Sequence, residues 1–444
     1  MEAFPNWRNA KHDFDFNPIH IAVLEDYDYQ DKHRPGLLEL IDFVDKANNA
    51  PPGQKWSVWK KDHQKESPLF GEIIEAFRQE EVCLRRRGLS AKPYLRMIDA
   101  RDSRHGWTPF NWATQTGRLD KMKILLSRLA NPFIVSNVRR NVLHQGAESK
   151  QPEVMEYLLS IPPDPIEGWY DINLQDAWGE TPLHVAVYGK TADAFKCTQL
   201  LLERGARRDL PREDDFFVPL HLACWTQEEV KLSFVDLLTS NKGPHINARN
   251  SRGRTPIFAF FDHLECVQML VDRGADITIC DNDGMTLLHA ASIENRVDVL
   301  KILMESSGHA LDVLIDNEGD SPLAKAIECK SLACAKLLLD AGAIGDLNGK
   351  DGLTLVHRAI DMGNADFLED CFIHPTYKKG VKTFDGMTVM EYAGRKEKFD
   401  GRIKELILEY ESYGPQSSAK DRVNHQQEAD MTTEEARARY FAHR

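Results

Sequence analysis

The sequence predicts an all-α solenoid, built from helix–turn–helix units with short β-hairpin tips between them. Two recurring phrases predict it. The first phrase resembles T-P-L-H-x-A and occurs as GETPLHVAV from Gly179 and as GMTLLHAAS from Gly284. The second is a leucine run closed by glycine, which follows at a fixed delay, as in LLLERGA ending at Ala206 and LLLDAGA ending at Ala343. Self-similarity at a fixed period is the signature of stacked repeats.

The spacing of the first phrase gives the number of units. Its threonine position falls at residues 108, 141, 181, 218, 255, 286, 321, 354 and 388, with spacings of 33, 40, 37, 37, 31, 35, 33 and 34 residues. The phrase and its period resemble the ankyrin repeat, and the irregular unit lengths are similar in style to those of fungal ankyrin proteins. The resemblance implies an ankyrin-repeat solenoid of about nine units.

Each part of the repeat has a physical role. Threonine or serine caps the inner helix, and proline at the first helical position gives up no needed donor. The leucine run is the apolar stripe of an outer helix, and a glycine such as Gly205, Gly274 or Gly342 ends that helix in a left-handed conformation. The polar stretch after it turns the chain as a tip. The unit from Thr255 is short, so we expect its inner helix to lose part of a turn.

The pattern divides the chain into three segments. Residues 1–100 are expected to be degenerate or capping repeats, because end repeats have one face in water. Residues 101–413 form the array. Residues 414–444 are polar, which predicts a disordered tail or a short helix from Thr433.

Composition restricts the class of partner and the compartment. The formal net charge of −13 argues against a chain that coats nucleic acid or an anionic membrane. The N-terminus does not resemble a secretory signal, and no apolar run is long enough for a membrane helix. None of the eight cysteines forms a CxxC pair, which favours small buried side chains in a reducing compartment over a disulfide framework or zinc site. We therefore expect an intracellular, cytoplasmic protein with a nuclear location open, whose oligomeric state the sequence does not give.

Most units carry one histidine, and together these histidines could be taken for a catalytic or metal-binding array. They are His20, His144, His184, His221, His289 and His357. The ankyrin resemblance implies instead that each joins a hydrogen-bond network with the threonine of its own phrase. The enzyme signatures HExxH, GxSxG and GxGxxG are absent from the sequence. The prediction is a protein without catalytic residues, cofactor or metal.

The resemblance also implies a binding surface, because ankyrin-repeat proteins bind through their tips and the exposed, concave face of their inner helices. Aromatic residues dominate the first half of this surface and acidic residues the second. Residues 262–400 hold 25 Asp and Glu against 14 Lys and Arg, a net charge of −11. Solubility alone or steering of a basic partner segment would explain that excess. The candidate partner-binding residues are Trp107, Trp178, Glu180, Tyr188, Trp225, Arg252, Arg254, Asp283, Glu294, Glu318, Asp320, Glu328 and Asp361.

Three functions remain open at this point. The favoured one is a non-catalytic protein–protein interaction scaffold or adaptor that binds a basic or aromatic segment of another protein. The alternative is an enzyme or a small-molecule-binding protein. Irregular repeats and insertions around 160–262 would form its pocket. A targeting subunit with an effector-recruiting tail ranks below both.

Overall fold

The computed structural model describes residues 20, 23, 98–161, 171–226, 228–241, 243–307, 314–343, 352–374, 377, 380–395 and 401–413. Eighteen α-helices lie in these ranges, and they follow one another as nine inner–outer pairs. The chain divides into two compact units, Met1–Ser251 and Arg252–Arg444. This arrangement confirms the helix-rich repeat fold that the sequence predicts.

The first unit contains four of the pairs. In three pairs the inner helix has seven or eight residues, whereas the fourth inner helix has four and continues as a 3₁₀ turn, Ala223–Trp225. A second 3₁₀ turn, Pro244–Asn247, follows the last outer helix. The helices are α1 Pro109–Gln115, α2 Leu119–Ser127, α3 Val142–Ser149, α4 Pro152–Ser160, α5 Pro182–Tyr188, α6 Ala192–Glu203, α7 Pro219–Leu222 and α8 Glu228–Thr239.

The second unit contains the other five pairs. Its first inner helix has only four residues, as the short repeat from Thr255 predicts. The helices are α9 Pro256–Ala259, α10 Leu264–Asp272, α11 Leu287–Ile293, α12 Val297–Ser307, α13 Pro322–Glu328, α14 Leu332–Asp340, α15 Leu355–Met362, α16 Ala365–Ile373, α17 Val389–Gly394 and α18 Gly401–Tyr413.

The caps of the inner helices follow the repeated phrase. Thr181 precedes α5 in an extended conformation, its side chain accepts the backbone N–H of His184, and Pro182 is the first helical residue. This satisfies one of the backbone donors that a helix start leaves open. The outer helices bury one face of leucines, such as Leu201 of α6 and Leu338 of α14. The leucine run is therefore the core stripe of the repeat, as predicted.

Consecutive tips are joined by backbone hydrogen bonds rather than by strands. Among the described residues, the only β-type pairing that the backbone forms is an isolated bridge between Lys382 and Thr388. Elsewhere one N–H of a tip donates to a carbonyl of the preceding tip. These bonds run from Asn137 to His105, Ala177 to Val138, Glu213 to Trp178 and Ser251 to Asp215 in the first unit, and from Asn282 to Arg252 and Asn317 to Asp283 in the second, at 2.8–3.1 Å.

The close approach of the tips explains two of their glycines. Gly179 has a φ of +75°, and a Cβ at this position would lie 2.4 Å from the backbone nitrogen of Glu213 in the next tip. A Cβ at Gly284 would likewise lie 2.6 Å from the backbone nitrogen of Asn317 in the next tip. In the following repeat of the first unit, the corresponding turn position holds Phe216 with a φ of +57°. A bulky side chain rarely adopts this conformation.

Most of the first hundred residues and the whole of 414–444 lie outside the described residues, so those two segment predictions stay predictions. His20 is described, and its Nε2 lies 3.0 Å from the carbonyl oxygen of Trp107. The ammonium of Lys121 donates to the carbonyl of Val23 at 2.7 Å. His20 and Val23 therefore both contact the repeat from Thr108.

The seven described cysteines are free thiols. Cys197, Cys266, Cys334 and Cys371 are buried, as expected of small apolar side chains. Two others differ from that expectation: Cys280 is exposed just before a tip, and Cys329 is exposed immediately after α13. Within the described ranges, no helix combines the length and apolarity that crossing a bilayer requires.

Candidate protein-binding surface

Three of the repeated histidines contact the backbone of the residue just before the next cap. His184 Nε2 lies 3.0 Å from the carbonyl oxygen of Phe217, which is the residue just before the next cap. The same relationship joins His144 to the carbonyl of Glu180 at 3.0 Å. In the second unit His289 reaches the carbonyl of Asp320 at 3.1 Å. Each of these histidines thus fixes the backbone from which a tip side chain projects.

These contacts require a neutral imidazole. In His184, Nε2–H donates to a carbonyl, so Nδ1 is left to accept the backbone N–H of Thr181 at 3.1 Å. Burial lowers the pKa of His20, His144 and His184 to about 4, against the raising influence of these backbone hydrogen bonds. His144, His184 and His289 are structural links, which agrees with the hydrogen-bonding role implied by the repeat.

Three of the predicted aromatic residues are exposed in the first unit. The exposed fractions are 48% for Trp178, 56% for Tyr188 and 47% for Trp225. Trp178 lies at a tip, Tyr188 ends α5, and Trp225 ends the 3₁₀ turn after α7. Exposed aromatic side chains of this size are features of interaction surfaces, because they bury a large area at little cost in entropy.

Trp107 lies in a different environment. It is partly buried, and its ring packs edge-on against Trp112 and stacks with His105. Trp112 is buried, and its indole N–H donates to Asp102 at 2.8 Å. Trp107 is therefore at the edge of the core of its repeat.

Glu180 connects two tips through a chain of ion pairs. Its carboxylate accepts from Arg140 at 2.9 Å on one side and from Arg212 at 2.9 Å on the other. Arg140 also donates to Asp176 at 2.8 Å, and Arg212 pairs with Asp215. Both guanidinium groups are consequently neutralised by carboxylates of their own unit.

Several residues near these aromatics were missed by the sequence reasoning. Arg140 and Phe217 occupy the position just before the cap, which is the position that selected Trp107 and Glu180. The ring of Phe217 stacks on His221 and lies 5.5 Å from that of Trp225. Applying the same positional rule to every repeat would have found Arg140 and Phe217.

In the second unit, one buried ammonium is surrounded by four carboxylates. Lys325 Nζ lies 3.3 Å from Asp316, 2.8 Å from Glu318, 3.0 Å from Asp320 and 3.4 Å from Glu328. Burial acts to lower the pKa of Lys325, but hydrogen bonds to Glu318 and Asp320 outweigh it and raise the pKa above its usual value. The lysine therefore stays charged and supplies the countercharge of the cluster.

This cluster also accounts for the metal-like geometry of the second unit. Asp316, Glu318 and Asp320 each offer an oxygen within 4.8 Å of the others, a spacing that would suit a cation. The ammonium of Lys325 lies among them, and Arg358 forms a further ion pair with Asp320. The predicted site residue Asp320 is thus buried in an ionic network, whereas Glu318 and Glu328 are exposed.

The remaining candidates of the second unit lie at its tips and helix ends. Arg252, Asp283 and Glu294 are exposed, and Arg254 is partly buried with its guanidinium 3.0 Å from Asp281. The exposed carboxylate of Asp361 accepts from the Tyr392 hydroxyl at 2.7 Å. The exposed members of this set are mostly carboxylates, so the described face carries excess negative charge.

The array matches a known family. The family model for ankyrin repeats, in three copies, matches residues 143–250, 230–313 and 257–349. Residues 143–349 of the chain are therefore an array of ankyrin repeats. Repeats of this family generally mediate protein–protein interaction, and the family is typically non-enzymatic.

The relatives match part of this chain. It is 28% identical over 308 residues to E3 ubiquitin-protein ligase KEG of Arabidopsis thaliana, covering 65% of this chain and 18% of that protein. It is 30% identical over 196 residues to the B-cell lymphoma 3 protein homolog of Mus musculus, covering 42% of each. The chain thus spans less than half the length of either relative. A solved complex of a predatory endopeptidase from Bdellovibrio bacteriovorus with an immunity protein matches 44% of this chain and 96% of that chain, at 24% identity and a TM-score of 0.37.

Proposed function

We propose that this protein is a non-catalytic scaffold or adaptor, which binds a partner protein on its tips and on the exposed face of its inner helices. The observation that carries the proposal is the set of large aromatic side chains exposed along consecutive repeats of the first unit, Trp178, Tyr188 and Trp225. Their backbones are fixed by the capped helices and tips described above, so the surface is rigid before a partner arrives. Pre-organisation of this kind lowers the entropic cost of binding.

The second unit supports a different contribution to the same function. Its exposed carboxylates, including Asp283, Glu294, Glu318 and Glu328, favour a partner with basic character. Charges of this kind increase the association rate more than the final affinity, and salt screens them. The aromatic residues of the first unit would then supply most of the binding free energy.

The test is affinity purification with mass spectrometry, run in parallel on wild type, on Trp178→Ala/Trp225→Ala, and on Leu232→Ala. Leu232 is an exposed apolar residue of the outer helix α8 and serves as the matched control. We expect specific partners with wild type and with the control, and their loss from the double variant. An unchanged partner set in the double variant would rule out the proposed surface.

A further inference from the structure

At the tips and inner-helix ends of the first unit, cationic side chains lie over aromatic rings at three places. The guanidinium of Arg140 is 5.4 Å from the ring centre of Trp178, and that of Arg212 is 5.4 Å from Phe217. The ammonium of Lys190 is 4.8 Å from the ring centre of Tyr188. Both arginines are also paired with carboxylates. This surface is therefore built to hold a cation between an aromatic face and an acidic group.

The repeat from Val218 also has an exposed aromatic ring and exposed carboxylates, but among the described residues no cation lies over that ring. Trp225 is nearly half exposed and packs at a tilt against Phe217, and no described cation lies over its ring. Glu213 and Asp214 are exposed on the tip that ends in Phe217. Neither carboxylate forms an ion pair with any described side chain. An aromatic ring and two available carboxylates thus belong to one repeat.

The balance of charge at this tip selects the partner's chemistry. The guanidinium groups of Arg140 and Arg212 are already neutralised by carboxylates, whereas Glu213 and Asp214 are not. An acidic segment would be repelled here, and a purely apolar one would leave the two carboxylates without compensation. Arginine suits the site better than lysine, because its planar group stacks on rings and pairs with carboxylates at the same time.

We infer that the partner of this surface presents an arginine next to an apolar residue. The guanidinium stacks on Trp225 and pairs with Glu213 or Asp214, while the apolar neighbour packs against Phe216 and Trp178. This inference rests on the proposed function and specifies the partner of the same surface.

A random dodecapeptide library displayed on phage, panned on the full-length chain and depleted on Trp225→Ala, tests the inference. We expect the recovered peptides to share an arginine beside an apolar residue. For a synthetic peptide of the recovered sequence, replacing arginine by lysine should weaken binding several-fold, and replacing it by norleucine about 10-fold or more. Recovery of Trp225-dependent peptides without a cationic residue, or of no peptide at all, would overturn the inference.

Carboxylate variants supply the second measurement. Glu213→Gln/Asp214→Asn should weaken the peptide about 3- to 10-fold at low ionic strength and flatten its salt dependence. The control Glu153→Gln/Glu156→Gln on the outer helix α4 removes the same number of charges. It should change neither the affinity for the peptide nor the salt dependence of binding. Equal effects of the two double variants would refute a specific pairing. Peptides that need Trp225 but no cation would leave the proposed surface intact, whereas peptides and partners indifferent to Trp178 and Trp225 would remove both proposals.

Discussion

Phe258 stands three residues after Thr255, at the position where other repeats carry the histidine that contacts the cap hydroxyl. The distance between that hydroxyl and the histidine Nδ1 is 2.8 Å for Thr181 and His184, and 2.9 Å for Thr286 and His289. Among the described groups, the buried Thr255 hydroxyl has no hydrogen-bond partner. The inner helix of this repeat is also the short α9. The repeat is therefore locally understabilised.

Phe258→His should stabilise the protein, because the imidazole would give the Thr255 hydroxyl its missing partner. A gain of about 1 kcal/mol is the usual size of one hydrogen bond or cap. Denaturant unfolding of the full chain measures it. The companion substitution Thr255→Val should be nearly neutral in wild type, whereas Thr181→Val should cost about 1–2 kcal/mol. Equal costs for the two valine variants would show that the Thr255 hydroxyl is not in fact unpaired.

Acid should destabilise the protein through its buried histidines. The folded pKa of His20, His144 and His184 is about 4, below the ordinary value of 6.5, so the unfolded chain binds more protons between these two values. The contribution of these histidines to the free energy of unfolding is complete above about pH 6.5. It is lost as the pH falls towards 4, by up to about 3 kcal/mol for each histidine.

The measurement is the free energy of unfolding as a function of pH, for wild type and for His184→Asn. Asparagine does not titrate, and Asn111 already occupies the corresponding position in the repeat from Thr108, where it bonds the cap hydroxyl at 2.8 Å. The variant should be less stable at pH 7 and show a shallower loss between pH 6.5 and 4. A slope as steep as that of wild type would show that His184 does not contribute to it.

Removal of Lys325 should expose the charge of its carboxylate cluster. Lys325→Ala leaves Asp316, Glu318 and Asp320 without their ammonium, and we expect a loss of about 2–4 kcal/mol. Because their oxygens lie within reach of a common cation, millimolar Ca²⁺ should restore part of the stability of the variant.

Thermal unfolding with and without Ca²⁺ checks this expectation. Lys336→Ala is the matched control, since Lys336 pairs with Asp370 at 3.1 Å in an exposed position, where ion pairs contribute at most about 1 kcal/mol. The control should show no Ca²⁺ dependence. An equal response of the two variants to Ca²⁺ would contradict a specific role of the cluster.

Phe216→Gly should separate stability from binding. Glycine adopts the positive φ of this position without strain, so the variant should gain about 1 kcal/mol in unfolding free energy. It also removes an exposed ring from the proposed surface, and we expect weaker partner binding. Unfolding and affinity are measured on the same preparation. The preceding repeat already has glycine, Gly179, at the corresponding position with a positive φ. Unchanged affinity of the Phe216→Gly variant would exclude Phe216 from the surface.

Leu201→Ala and Leu338→Ala should each cost about 2–5 kcal/mol, the usual range for a buried leucine. Both side chains are buried on outer helices. Leu232→Ala, an exposed leucine on an outer helix, should stay within about 0.5 kcal/mol. Thermal or denaturant unfolding decides between these values, and a near-zero effect at Leu201 would contradict its place in the core.

The sequence predicted the parts of the molecule that each repeat determines by itself. The caps at Thr181 and Thr286, the buried leucines and the short helix after Thr255 all follow from residue type and local spacing. What it could not predict depends on contacts between repeats. Asp320 looked like a surface residue, yet Lys325 and Arg358 bury it in ion pairs. Arg358 lies 38 residues beyond Asp320, and only the stacking of two repeats brings them together.

The backbone hydrogen bonds between neighbouring tips use main-chain atoms, so they do not depend on which side chain a tip carries. A substitution at an exposed tip residue such as Trp178 therefore alters what the surface presents and leaves these backbone bonds in place. At such positions a change of target does not require a change of framework, whereas a change at Glu180 would alter both, because its carboxylate also links two tips.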